Sequence, residues 1–168
     1  MLTAIMMIAV MLVSVTTWAQ SPAATATGKL ASGANITIKY SAPSVKGRKI
    51  YGTDLVPYGK EWRAGANEAT TFETDKDITV EGKSLKKGKY SIYAIAGEKE
   101  WQIIFNNQTG QWGINRDGST TRDKAKDAAV VTVTPKKAAA MTEQLKYVVS
   151  DKGFSIIWEN LEVPVSVK

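Results

Sequence analysis

The chain contains neither histidine nor cysteine among its 168 residues. That double absence excludes Ser-His-Asp and Cys-His nucleophile systems, disulfide bridges, and zinc, copper or iron sites built on imidazole or thiolate ligands. No phosphate-cradling P-loop and no dinucleotide-binding glycine fingerprint occurs, and the chain lacks the helical patterns such loops would open. Carboxylate, lysine, tyrosine and arginine chemistry remains. Arginine is itself scarce, because eighteen of the 22 basic residues are lysine and they are scattered. Nucleic-acid readers favour clustered arginine with interleaved aromatics, so the net charge of +6 does not point to a nucleic-acid partner. The densest basic group, Lys83, Lys86, Lys87 and Lys89, straddles a glycine turn and reads as solvated. No cofactor and no metal is expected.

Charge is also missing from Met1–Ala19. The apolar run from Leu2 to Val15 falls short of the roughly 20 residues of a membrane-spanning helix. Thr17-Trp18-Ala19 puts small residues at the two positions a signal peptidase reads, although the usual Lys or Arg of the leading region is absent. Residues 1–19 are read as a signal peptide, and the protein as exported, periplasmic or extracellular, with no stable membrane anchor after cleavage. Residues 20–28, which end in "SPAATATG", predict a flexible linker. Residues 29–168 predict one β-sandwich domain, long enough to bury a core without disulfides.

What is abundant is period-two alternation. Ile36, Ile38 and Tyr40 share a face, as do Ile78 and Val80, then Trp101, Ile103 and Phe105. Leu145, Tyr147 and Val149 continue the pattern, followed by Phe154, Ile156 and Trp158, and by Val163, Val165 and Val167. Turn pairs such as Glu81-Gly82, Lys87-Gly88, Asn106-Asn107 and Asp117-Gly118 separate the runs. Many short strands at this spacing predict an all-β, two-sheet antiparallel sandwich, Ig-like or jelly-roll-like. Gly88 two residues before Tyr90 matches a tyrosine corner, in which the phenol bonds back to nearby backbone. Pro164 predicts that the last strand lies at an edge or is bulged there. Thr134-Pro135 followed by three alanines predicts one short helix over Lys136–Gln144, with a loop as the alternative.

Two chemical possibilities can be tested on spacing. Asn115, Asp117, Ser119, Thr121 and Asp123 alternate as calcium ligands would. Thr120 stands where an EF-hand loop has glycine, however, and Lys126 where it has a bidentate glutamate, so the stretch reads as an ordinary polar loop. A glycosidase needs two acids about 5–10 Å apart in an aromatic cleft. Asp54, Glu61 and Glu68 lie close in sequence to Tyr51, Tyr58 and Trp62, but sixteen carboxylates in the chain make a chance pair easy.

The segment "YGTDLVPYGKEWRAGANEAT", Tyr51–Thr70, concentrates three aromatics, three glycines, an arginine and three carboxylates. In a structural reading, Trp62 and Val56 plug one end of the sandwich, glycines permit tight turns, Arg63 pairs with Glu68, and Asn67 satisfies loop backbone. In a binding reading, Arg48 and Arg63 face a cleft with Asn67, Glu68 and Thr70, while Tyr51, Tyr58 and Trp62 form its walls. The stretches "KGRKIYG", "LVPYGKEWRAGANEATTF", "LKKGKYSIYAI", "EWQIIFN" and "QWG", in this order, resemble a domain-of-unknown-function family of exported bacterial proteins. The resemblance covers about Gly28 to Val167 and is poorest over Asn115–Lys126. It implies an exported single β domain and no established activity. The expectation is a non-catalytic module that binds a small polar ligand, a glycan or an envelope partner through Arg48, Tyr51, Tyr58, Trp62, Arg63, Asn67, Glu68 and Thr70. A carboxylate-dependent hydrolase of an envelope polymer and a purely structural envelope protein are the alternatives.

Overall fold

Eleven strands account for the described part of the chain, residues 20–168 of a computed structural model. They are β1 (Ala23–Lys29), β2 (Asn35–Ser41), β3 (Glu61–Trp62), β4 (Thr71–Thr74), β5 (Ile78–Val80), β6 (Lys83–Leu85), β7 (Gly88–Ile95), β8 (Trp101–Asn106), β9 (Asp127–Val133), β10 (Lys136–Ser150) and β11 (Gly153–Ser166). The signal peptide read over residues 1–19 lies outside the described residues. One sheet has the order β1-β2-β4-β7-β8-β9, all antiparallel, with β3 added on β7. The other layer is the long β10–β11 hairpin, joined at the end of β11 to the β5–β6 hairpin by paired bonds between Thr79 and Lys168. The molecule is an all-β sandwich.

The alternating side chains do what the period requires. Ile36 and Ile38 from β2, Phe72 from β4, Ile92 from β7 and Phe105 from β8 are fully buried and meet Leu145, Phe154 and Ile156 from the hairpin layer. Phe154 sits 5.6 Å from Phe72 and 6.4 Å from Phe105, ring to ring, so the layers interlock through aromatics. The Tyr90 hydroxyl donates to the Lys86 carbonyl at 2.7 Å, the back-bond anticipated for a tyrosine corner. The β10–β11 ladder runs out at Lys136 opposite Glu162, two residues before Pro164, so the missing N–H breaks no bond to β10.

Two expectations are corrected. The linker over 20–28 is largely strand β1, paired residue for residue with β2 from Ala23 opposite Ser41 to Lys29 opposite Asn35. Its inward positions are Ala24, Ala26 and Gly28, an alternation made of small residues because β10 lies close: a Cβ on Gly28 would stand 2.6 Å from Val149 Cγ1. The helix over Lys136–Gln144 is instead the first half of β10, in which Lys136 and Lys137 pair with Glu162 and Leu161. Tertiary pairing overrides alanine's helical propensity there.

The sheet contains a local interruption that places the site. β3 and β4 both run antiparallel to the same edge of β7, Trp62 opposite Ala94 and Thr71 opposite Ser91. Between them the chain leaves the sheet at Arg63 and returns at Thr71.

Candidate functional site

The excursion from Arg63 to Thr70 is a corner fixed by its own backbone. Ala64 and Asn67 adopt positive φ, 54° and 56°, and Asn is among the few side chains that tolerate this well. The Ala64 carbonyl accepts from two buried hydroxyls, Thr70 Oγ1 at 3.0 Å and Tyr147 at 2.7 Å. Burial raises the Tyr147 phenol far above its ordinary value, so it stays a neutral donor. Gly65 has no room for a side chain, since a Cβ would approach Thr70 Oγ1 to 2.6 Å. Asn67 Nδ2 donates to the Ser21 carbonyl at 2.9 Å and to Ser41 Oγ at 3.2 Å, tying the start of the described chain to the end of β2.

Beneath the corner lies an aromatic cluster. Trp62 stacks on Trp158 at 6.1 Å and meets Trp101 edge-on at 6.3 Å. Tyr51 is edge-on to Trp101 at 5.6 Å, and its hydroxyl donates to the Trp158 carbonyl at 3.1 Å. Its phenol is pushed well above the ordinary range, first by burial and then by Glu159 and Tyr58. Trp62 and Val56 are both buried in the core, as the structural reading requires of them.

The predicted residues do not form one site. Arg48 is exposed and donates to the carbonyls of Val45 and Ser44, closing its own turn. Tyr51, Asn67 and Thr70 are engaged in the packing just described. Tyr58 is exposed beside Gly52. Glu68 is exposed and lines a separate groove with Lys39 and Lys89, so the expected Arg63–Glu68 pair does not form. Instead Arg63 Nη1 donates to the Asn67 and Trp112 carbonyls, and its guanidinium lies 5.7 Å from the Trp112 ring centre. Burial without a carboxylate partner lowers the Arg63 pKa.

What opens to solvent is a cleft between Asp54–Ala66 and the small Ile114–Thr120 hairpin. Its inner compartment, ≈ 270 Å³, is lined by Trp62, Arg63, Lys60, Asp54, Leu55 and Ile114 among others. Its outer compartment, ≈ 630 Å³, shares Asp54, Pro57, Lys60 and Glu61 and adds Asp117 and Ser119. Trp62 and Arg63 are the two predicted residues that line it. The hairpin is held by Asn115 Nδ2 to Ser119 Oγ at 3.0 Å and by Asp117 Oδ1 accepting from the Ser119 amide at 3.0 Å. Those oxygens therefore serve the turn, and among the described residues no acidic cluster suited to a metal occurs.

Sequence reasoning missed the group that mounts this hairpin on the sheet. Arg122, with 7% of its side chain exposed, donates to Asp127 through Nε and Nη2 and to Glu61 Oε1 through Nη1 at 2.6 Å. Thr120 Oγ1 donates to the other Glu61 oxygen. Asn106, fully buried, donates to Asp127 Oδ1 and to the Asp123 carbonyl, both at 2.8 Å. The Asn107–Lys126 stretch also covers Tyr93 and Ile104, buried on the sheet face that points away from the core. The sequence signal was a pair of short apolar runs, Ile92–Ile95 in β7 and Ile103–Phe105 in β8, where Tyr93 and Ile104 break the alternation.

The chain matches the family described as "Protein of unknown function (DUF2911)" over residues 21–167. No curated protein and no solved structure matches it.

Proposed function

The chain belongs to the DUF2911 family, described only as of unknown function, and from that premise we propose that it is an exported binding module for a small polar ligand held in the cleft between Asp54–Ala66 and Ile114–Thr120. The observation that carries this reading is the inner compartment. It joins apolar walls, Leu55, Pro57, Trp62, Ile114 and Trp158, to charged groups that bond to no carboxylate or ammonium within the described chain, Arg63, Lys60 and Asp54. Ligand sites combine such walls with a few convergent polar groups. Export rests on the charge-free, apolar Met1–Ala19 segment.

A hydrolase would need a free acid pair. Glu61, the least exposed carboxylate in the cleft, has both oxygens engaged by Arg122 and Thr120, and the other two cleft acids, Asp54 and Asp117, are exposed to solvent, which speaks for binding over catalysis. The test is a thermal-shift screen of glycans, organic acids and small polar metabolites, repeated on Lys60→Ala and Asp54→Ala. Both residues are exposed, so these changes leave the fold intact. A true cleft ligand raises the melting temperature of the wild type and does so less in both variants. A ligand whose shift is the same in all three proteins binds elsewhere and sinks this reading.

A further inference from the structure

We infer that the cleft recognises a hydroxylated carboxylic acid of the sugar-acid type, its carboxylate held by Arg63; this rests on the cleft being a ligand site. Arg63 has five N–H donors, and Nη1 alone is committed, to two backbone carbonyls. Among the described residues the buried side-chain nitrogens and oxygens without a partner are Trp101 Nε1 and Gln111 Oε1. Arg63 Nε and Nη2 make none of the bonds above and are not among them, so both keep donor capacity on a half-buried residue that lines the inner compartment. Nε and Nη2 form one edge of the guanidinium fork, which matches the two oxygens of a carboxylate. The other edge is anchored to the corner backbone and the face leans on Trp112, so the fork is held in place before a ligand arrives.

Charge divides along the cleft. The inner compartment presents Arg63 and Lys60 against Asp54, because Glu61 is neutralised by Arg122. The outer compartment adds Asp117, whose Oδ1 is taken by the Ser119 turn while Oδ2 remains an acceptor suited to hydroxyl donors. A ligand with its carboxylate inward and its hydroxyls outward satisfies both ends. A neutral sugar leaves the Arg63 fork unfilled, and a simple diacid leaves Asp54 and Asp117 facing a like charge.

The experiment titrates the 15N-labelled protein with D-glucuronate, D-glucose and succinate. It follows the cleft amides of Lys60, Arg63, Asp117 and Thr120 and the side-chain Nε–H signals of the four arginines, Arg48, Arg63, Arg116 and Arg122. Glucuronate is expected to move the Arg63 Nε–H signal and amides on both walls, to bind more tightly than succinate, and to exceed glucose by about tenfold. Arg63→Lys keeps the charge but loses the fork, and should forfeit about that same factor. Lys60→Gln, at an exposed residue, should weaken glucuronate only a few-fold and reduce its salt dependence. Glucose binding as tightly as glucuronate, with the Arg63 Nε–H signal unmoved, overturns the carboxylate assignment while the cleft reading stands. So does succinate matching glucuronate, which removes the role of the hydroxyls. Silence of the cleft amides toward all three compounds overturns the assignment too. The cleft reading then falls as well only if the wider screen finds no ligand weakened by Lys60→Ala and Asp54→Ala.

Discussion

Arg63 lines the cleft, Arg122 stands behind it bonded to Glu61, and the two are wired in opposite ways. Arg122 is gripped by Asp127 and Glu61, and hydrogen bonding to Asp127 raises its pKa against the effect of burial. Arg63 has backbone carbonyls for partners and an aromatic ring beside it, and burial lowers its pKa. A saturated arginine fixes geometry, whereas a half-saturated one keeps donors for something else. The pairing state of the side chain therefore separates scaffold from site, and the two can be pulled apart experimentally.

The largest effect should come from the saturated side. Arg122→Ala leaves Asp127 with Asn106 as its remaining partner and no bonded cation, and Glu61 with Thr120 and the exposed Lys124 at 3.6 Å, while only 17% and 20% of the two carboxylate side chains are exposed. A loss of about 3 kcal/mol is expected, measured as a urea midpoint, since removing one partner of a buried ion pair strands the other. Acid should reproduce part of this loss. Burial pushes the Asp127 carboxyl up, but bonds from Arg122 and Asn106 and the charges of Arg122 and Lys124 bring it below its ordinary 3.8. A carboxylate with a depressed folded pKa contributes stability that is present above the unfolded value and lost as pH falls through the folded one. Asp127→Asn should therefore be less stable than wild type at pH 7, and the difference should shrink as pH is lowered past 3.8. A gap that stays constant down to pH 2 would show that the ion pair is not the source.

A smaller effect tests the joint between the two regions. Gly113 carries the Arg122-bearing loop past the Arg63 corner with φ +90°, and a Cβ there would lie 3.1 Å from the Cβ atoms of both Ala69 and Arg63. Gly118, φ +85°, has open space around it. Gly113→Ala should cost about 2 kcal/mol, backbone strain plus crowding, and Gly118→Ala about 1 kcal/mol, strain alone. Equal midpoints for the two variants would mean that the loop does not bear on the corner.

How much of this could be read in the sequence follows the same division. Strands that alternate large apolar residues, such as Ile36-Ile38-Tyr40 and Phe154-Ile156-Trp158, announce themselves, and the Tyr90 corner follows from one glycine and one tyrosine. β1 does not, because its inward positions are small to admit Val149, and small residues carry little periodic signal. The first half of β10 misleads because alanine-rich composition speaks for helix until a partner strand is supplied. At the site, Trp62 and Val56 are legible as core residues because large apolar residues among glycines have few other uses. The Glu61–Arg122 pair is not legible: the two residues stand 61 positions apart, and Arg122 lies in the stretch with the least recognisable pattern. Proximity in sequence suggested Glu68 for Arg63, but positive φ at Ala64 and Asn67 turns the chain so that Glu68 faces another groove.

The smallest predicted effects sharpen the contrast most. Arg63→Gln removes hydrogen bonds to the Asn67 and Trp112 carbonyls and strands no carboxylate, so it should cost about 1 kcal/mol. Lys60→Ala, at an exposed residue of the cleft, should stay within about 0.5 kcal/mol of wild type. Ligand affinity should rank the other way: Arg63→Gln should lose most of it, and Lys60→Ala a part. Arg122 touches the ligand site only through Glu61, so Arg122→Lys, which keeps the charge, should lose stability far more than affinity once the protein is folded. If Arg63→Gln proved as damaging to the urea midpoint as Arg122→Ala, the two arginines would belong to one clamp, and the open fork would have to be read as part of the fold.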